Sequence, residues 1–135
     1  MTRPALLTLL LTAACTGATD DPPAGCERLT GAAITALFAD VEDRAQVMDG
    51  AGGEAVNHWY ADGRFVSRWR TAEREGALTG TWWVNDAGER CVSLSESPDG
   101  KAAVRCGVLY LCGDAVRSTN EAGGTHGVHR LRPLP

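Results

Sequence analysis

The chain reads as a mainly β domain: an antiparallel meander or small barrel of six to seven strands, with one N-terminal helix. Three observations predict it. From Ala55 onward, short strand-like runs are separated by turn triplets that end in glycine: Ala61-Asp62-Gly63, Asp86-Ala87-Gly88 and Pro98-Asp99-Gly100. Such triplets suit hairpins in which a type I turn is followed by a left-handed residue, where glycine has no Cβ to clash. Before them, Leu29, Ala33, Ile34, Leu37, Phe38 and Val41 recur at the spacing of one helix face. Finally, a chain of 135 residues has room for one core. Its cysteines, once the N-terminal segment is set aside, are even in number, as a disulfide framework requires.

The first element is an export signal over residues 1–14. Arg3 supplies the basic start, Ala5 to Leu11 the apolar run, and Thr12-Ala13-Ala14 the small residues of a cleavage site. That run is too short to span a bilayer, which takes about 20 apolar residues. Leu11-Thr12-Ala13-Ala14-Cys15 also resembles the lipobox at which bacterial lipoproteins are cut and acylated. Thr12 stands where such boxes usually carry Leu, so plain cleavage after Ala14 is the alternative. Residues 15–25 then form the lipid-anchor Cys15 and a polar, Gly/Pro-rich tether. Thr16 after the cysteine resembles outer-membrane sorting. The expected location is the outer membrane facing the periplasm, otherwise the periplasm or the medium.

Residues 26–135 form the single β domain. Thr30 is placed to cap the helix, which is expected to end near Asp40. Asp43 to Glu54 reads as a loop, with Ala45 to Met48 as a short edge strand at most. The strand-like runs are Val56–Tyr60, Arg64–Arg70, Leu78–Val84, Arg90–Ser95, Ala102–Cys112, Ala115–Ser118 and Gly127–Leu131. Alternation puts Phe65, Ser67 and Trp69 on one face and Arg64, Val66, Arg68 and Arg70 on the other, wet, face. Leu78, Gly80, Trp82 and Val84 share an apolar parity, with Trp82 beside Val92 and Gly80 beside Leu94. The greasy face is covered either by closure into a barrel or by the helix.

Four cysteines, Cys26, Cys91, Cys106 and Cys112, allow three pairings. A four-residue turn from Ser97 to Gly100 sets Cys91 directly opposite Cys106, with Cα atoms close enough for a bridge, whereas a three-residue turn does not. The expected bridges are therefore Cys91 to Cys106 and, by elimination, Cys26 to Cys112. An oxidising compartment agrees with both.

The pattern Tyr60-Ala-Asp-Gly-Arg-Phe65, Gly80-Thr-Trp-Trp-Val84, Asp86-Ala-Gly-Glu-Arg-Cys91 and Cys106 resembles a group of short exported proteobacterial lipoprotein-like β proteins of unknown function. The resemblance covers about half the chain and implies a secreted β-rich domain; it carries over no catalytic residue. A looser likeness is to lipocalin-like bacterial protease inhibitors, in which the Gly-x-Trp motif opens the domain rather than lying mid-chain.

Without the signal the chain has 12 basic against 17 acidic residues, so nucleic acid is not an expected partner. His58, His126 and His129 are the candidates for a metal site, but the spacing of the last two puts them on opposite faces of a strand. No metal or cofactor is expected. Ser93, Ser95 and Ser97 alternate as a solvated strand face rather than forming a nucleophile elbow. Arg64, Arg68 and Arg70 with Trp69 and Trp83 form the candidate ligand surface, suited to an anionic or sugar-like partner. The expected function is a non-enzymatic, membrane-anchored envelope domain that binds or inhibits a protein or an anionic envelope polymer. The alternatives are a small envelope hydrolase and a purely structural protein.

Intact mass spectrometry of the protein extracted from its native membranes checks the N-terminus and the thiols together. The expected species begins at an acylated Cys15 and lacks four protons for two disulfides. A species beginning at Thr16, or one with four free thiols, would contradict the assignment.

Overall fold

The computed structural model describes residues 21–95 and 103–135. The signal, Cys15, the start of the tether and the Ser97–Gly100 turn lie outside the described residues. The elements run β1 (Cys26–Arg28), α1 (Gly31–Phe38), β2 (Val41–Val47), β3 (Gly53–Trp59), β4 (Arg64–Arg70), β5 (Glu75–Val84), β6 (Arg90–Leu94), β7 (Ala103–Gly107), β8 (Leu109–Cys112), β9 (Ala115–Thr119) and β10 (Thr125–Pro133). All ten strands belong to one antiparallel sheet, in the order β1-β8-β9-β10-β2-β3-β4-β5-β6-β7. The sheet curls into a half-barrel.

Helix α1 forms where its spacing predicts. Thr30 caps it, its hydroxyl accepting the Ala33 amide at 3.1 Å. Beyond it Asp40 adopts a left-handed φ of 57°, and its carboxylate accepts the Ala61 amide at 2.9 Å. A short acceptor side chain makes that conformation tolerable without glycine. The helix buries Ile34 and Phe38 against Trp59, Phe65, Trp82, Leu109 and Val116. Phe38 meets the Trp59 ring edge-on, with centroids 5.3 Å apart. This aromatic cluster is the core, and the helix covers one part of the curled sheet's greasy face.

The hairpins follow the turn chemistry. Gly63 and Gly88 have φ of 90° and 75°, closing three-residue turns after Tyr60 and Asn85. Trp82 lies opposite Val92 and Gly80 opposite Leu94. Phe65 and Ser67 are buried while Arg64, Arg68 and Arg70 are exposed. Both bridges are formed between directly opposed residues, Cys91–Cys106 with Cα atoms 4.0 Å apart and Cys26–Cys112 with 4.2 Å.

The strand count departs from the expectation of six to seven for three reasons, the first being that Cys26–Arg28 pairs with β8 as an edge strand. Val41–Val47 is neither a loop nor an edge strand but a central strand, paired with β10 on one side and β3 on the other. Its sequence, VEDRAQV, hides the alternation because the inward position between Val41 and Ala45 is Asp43, fully buried. The run from Ala102 to Cys112, read as one strand, is two. β7 pairs with β6, and after Val108 the chain pairs with β1 and β9 instead. β7 and β8 therefore stand at opposite parts of the strand order with one residue between them, so the chain itself draws the two regions together. Thr119 Oγ1 donates to the Val108 carbonyl at this corner, at 2.9 Å.

The two bridges close loops of different length, with sequence separations of 15 and 86. In the chain-entropy account, replacing Cys91 and Cys106 together by Ala costs about 3 kcal/mol, and replacing Cys26 and Cys112 about 4–5 kcal/mol. Urea unfolding of the two double variants checks both the magnitudes and their order.

Candidate functional site

The curl leaves an open cavity of about 760 Å³ along the inner face of the sheet. Phe65, Trp69, Leu78, Val92, Leu94 and Leu109 give it apolar walls. Asn57, Arg90, Ser118 and His129 also line it. A largely apolar cleft with a few convergent polar groups is the usual form of a small-molecule site.

Those polar groups are organised by Asp43, which lies behind the wall. Its Oδ2 accepts from Asn57 Nδ2 at 3.0 Å, Trp59 Nε1 at 3.0 Å and His129 Nδ1 at 2.8 Å. The other ring nitrogen, His129 Nε2, is 2.8 Å from Ser118 Oγ. An ionised carboxylate only accepts, so Nδ1 carries the imidazole proton and Nε2 accepts from the Ser118 hydroxyl. Burial lowers the His129 pKa, outweighing the attraction of Asp43. Burial alone would raise that of Asp43, but the His129 and Asn57 hydrogen bonds and the Arg90 charge carry it below its ordinary value. The result is a carboxylate, a neutral imidazole and a hydroxyl in series across β2, β10 and β9.

Arg90 is the second organised group. It is 9% exposed, with its guanidinium carbon 4.3 Å from the Trp59 ring centroid and 4.8 Å from that of Phe38. Burial pushes its pKa down to about 10, with the Asp43 charge opposing, so it is a cation at neutral pH. Its Nη1 is buried without a hydrogen-bond partner among the described residues. Such a group is costly to leave unpaired.

Glycine at two positions shapes this face. A Cβ on Gly76 would fall 2.7 Å from the Trp69 ring, which lies against the bare backbone. A Cβ on Gly127 would fall 3.0 Å from His129 Nε2 and 3.3 Å from Ser118 Oγ, so this position keeps the space beside their hydrogen bond open.

Of the residues predicted as a ligand surface, Arg68, Trp69 and Arg70 line one pocket over β3–β5 with Glu54 and Glu75. Trp69 and Arg70 also line the inner cavity, and all three arginines are exposed. Arg64 is held by Asp62 at 2.8 Å and lies over the Tyr60 ring, and Arg70 is paired with Glu54 at 3.3 Å. Trp83, 40% exposed, lies on β5, the strand paired with the arginines' β4, and opposite Cys91 of β6. The three histidines are not brought together, because each has its own carboxylate. His58 is 3.6 Å from Glu42, His126 is 2.7 Å from Asp49, and His129 is bonded to Asp43. Among the described residues no group of three or more His, Cys, Asp or Glu is placed to hold a metal ion. Ser95 is exposed and Ser93 half-buried, while Ser97 lies outside the described residues. Asp49 also accepts from Asn120 at 3.0 Å, which with His126 ties the β2–β3 and β9–β10 loops together at the cavity rim.

Sequence reasoning missed Asp43, Arg90 and Ser118. For Arg90 the signal was present. The register that sets Trp82 by Val92 continues to Val84 by Arg90, which puts an arginine on the greasy face. No protein-family model matches the chain, and neither does any curated protein or solved structure. No helix among the described residues is long and apolar enough to cross a membrane.

Removing Asp43 strands three buried donors, so Asp43→Ala is expected to cost about 3–5 kcal/mol in urea unfolding, the scale for breaking a buried charged network. The two depressed pKa values also fix the sign of the pH dependence. The native state binds fewer protons than the unfolded chain, so acid destabilises it. The His129 share is complete above its ordinary 6.5 and is lost as pH falls from there towards the lower folded value. The Asp43 share follows below 3.8. Thermal unfolding across this range should show Tm falling from pH 6.5 downwards, less steeply in His129→Gln.

Proposed function

We propose that the protein is an exported, acyl-anchored envelope domain whose half-barrel binds a small amphipathic anion, such as a long-chain carboxylate. One observation carries this reading. Arg90 is a buried cation with an unused donor on the border between the aromatic core and an apolar-walled cavity. A carboxylate there would receive charge-assisted hydrogen bonds in a site with little water to compete, while its chain covers Phe65, Leu78, Val92 and Leu94. The volume, about 760 Å³, suits a ligand of that size.

The outer arginine face supports a polymer- or protein-binding role less well. Two of its three arginines are already paired with carboxylates of their own. The two disulfides agree with an exported domain. Anchoring at Cys15, outer-membrane placement and kinship with the short exported β proteins remain parts of the same proposal, resting on the lipobox-like segment and the D-G, G-x-W and Cys pattern.

The probe is 11-(dansylamino)undecanoic acid, read by energy transfer from Trp59 and Trp69 in the cavity wall. Saturable binding is expected. Arg90→Leu, or the methyl ester of the probe with the native protein, should weaken it about tenfold to a hundredfold, the worth of a hydrogen bond to a charged group. Arg90→Lys should retain more affinity than Arg90→Leu. Equal affinity for the acid and its methyl ester, or no saturable binding, would overturn the proposal.

A further inference from the structure

The Ser118, His129 and Asp43 chain has a property that cavity binding does not use. A hydroxyl lining the cavity donates to an imidazole whose other nitrogen is bonded to a buried carboxylate, both at 2.8 Å. Nδ1 donates to the Asp43 carboxylate, and burial, which lowers the His129 pKa, favours the neutral ring whose Nε2 accepts from Ser118. The carboxylate cannot swing away, because Asn57 and Trp59 hold the same oxygen. Neutral Nε2 is the form able to take a proton, and Gly127 leaves the space beside it free of a side chain. Nucleophile, base and orienting group are recognised by such geometry, not by their order in the chain.

The geometry points to Ser118 as a nucleophile that accepts an acyl group from a carboxylic ester bound in the cavity, with His129 as general base and Asp43 as its positioning residue. The inference rests on the cavity reading, since the apolar walls are what would hold the acyl chain. Ser118 Oγ forms a bond to the ester carbonyl carbon as its proton passes to His129 Nε2, and the carbonyl electron pair moves onto oxygen. Arg90 is the cation in the same cavity whose field meets that negative charge. Collapse breaks the bond to the alkoxy group, which leaves as an alcohol with the proton from Nε2, and Ser118 is left acylated. Water, giving a proton to Nε2, then releases the carboxylic acid and restores the hydroxyl. No oxidant, metal or further reactant enters the balance.

The full mature domain, disulfides intact, is treated with an alkyl fluorophosphonate and examined by intact mass and tryptic mapping. In parallel, hydrolysis of p-nitrophenyl octanoate is followed, and binding of the dansylated acid is measured on every variant. The expected result is a single adduct, formed with loss of HF, on Ser118 in the tryptic peptide from Ser118 to Arg130. Ester hydrolysis should be lost in Ser118→Ala. Asp43→Asn, whose amide oxygen can still meet the three donors but carries no charge to steady the imidazolium, should lower kcat by about tenfold to a hundredfold with KM and dansyl-acid binding unchanged. A merely structural Asp43 would not separate kcat from KM in that way. Mapping the wild-type adduct needs no variant, so the inference is testable even if a substituted chain does not fold. Binding of the dansyl acid with no adduct on Ser118 would overturn the nucleophile and leave the cavity reading standing. Neither binding nor adduct would overturn both. An adduct elsewhere, with hydrolysis unchanged in Ser118→Ala, would also overturn the nucleophile.

Discussion

The structure turns on one buried carboxylate. Asp43 is fully buried in the middle of the sheet, and its presence there is tolerable only because three donors meet one of its oxygens. Two of those donors come from β3 and one from β10, the strands on either side of β2. The hydrogen bonds therefore staple three central strands on their inner face, where a β-branched residue would ordinarily sit. The same oxygen sets the tautomer of His129 and, through it, the direction of the Ser118 hydroxyl. Arg90 lies in the same field, and its charge is among the causes that keep Asp43 ionised.

Around that centre the inner face divides in two. The helix and the aromatic cluster of Phe38, Trp59, Phe65 and Trp82 fill one part with close-packed rings. The other part stays open, because ten strands curl over more surface than one eight-residue helix covers. Arg90 and Trp59 belong to both. Their position on the border is why a cation can be buried at all, since ring faces at 4.3 and 4.8 Å compensate part of its lost hydration.

Much of the fold was legible in the sequence. Gly63 and Gly88 announce their turns, Thr30 its cap, and Cys91 and Cys106 their bridge, because each feature depends on neighbours a few residues away or on hairpin register, while the Cys26–Cys112 bridge follows only by elimination. The central strand β2 was not legible. An inward aspartate breaks the apolar alternation, and the donors that make it acceptable are 14, 16 and 86 residues distant. The candidate site failed for the same reason. Ser118, His129 and Asp43 share no local motif, and they meet only because β10 returns to lie between β9 and β2. The arginines of β4 looked more promising because they cluster in sequence. In space they point outward, and Arg64 and Arg70 are taken up by nearby carboxylates.

The pairing of β10 with β2 also bears on how such a chain is made. An early strand finds one of its two partners only in the last strand, and the first cysteine of the domain finds its partner 86 residues later. Almost the whole chain must be available before the central strands can lock and Asp43 can be buried with its donors in place. The hairpins from β2 to β5 can form from the N-terminal half alone, but Asp43 meets His129 only when β10 joins them.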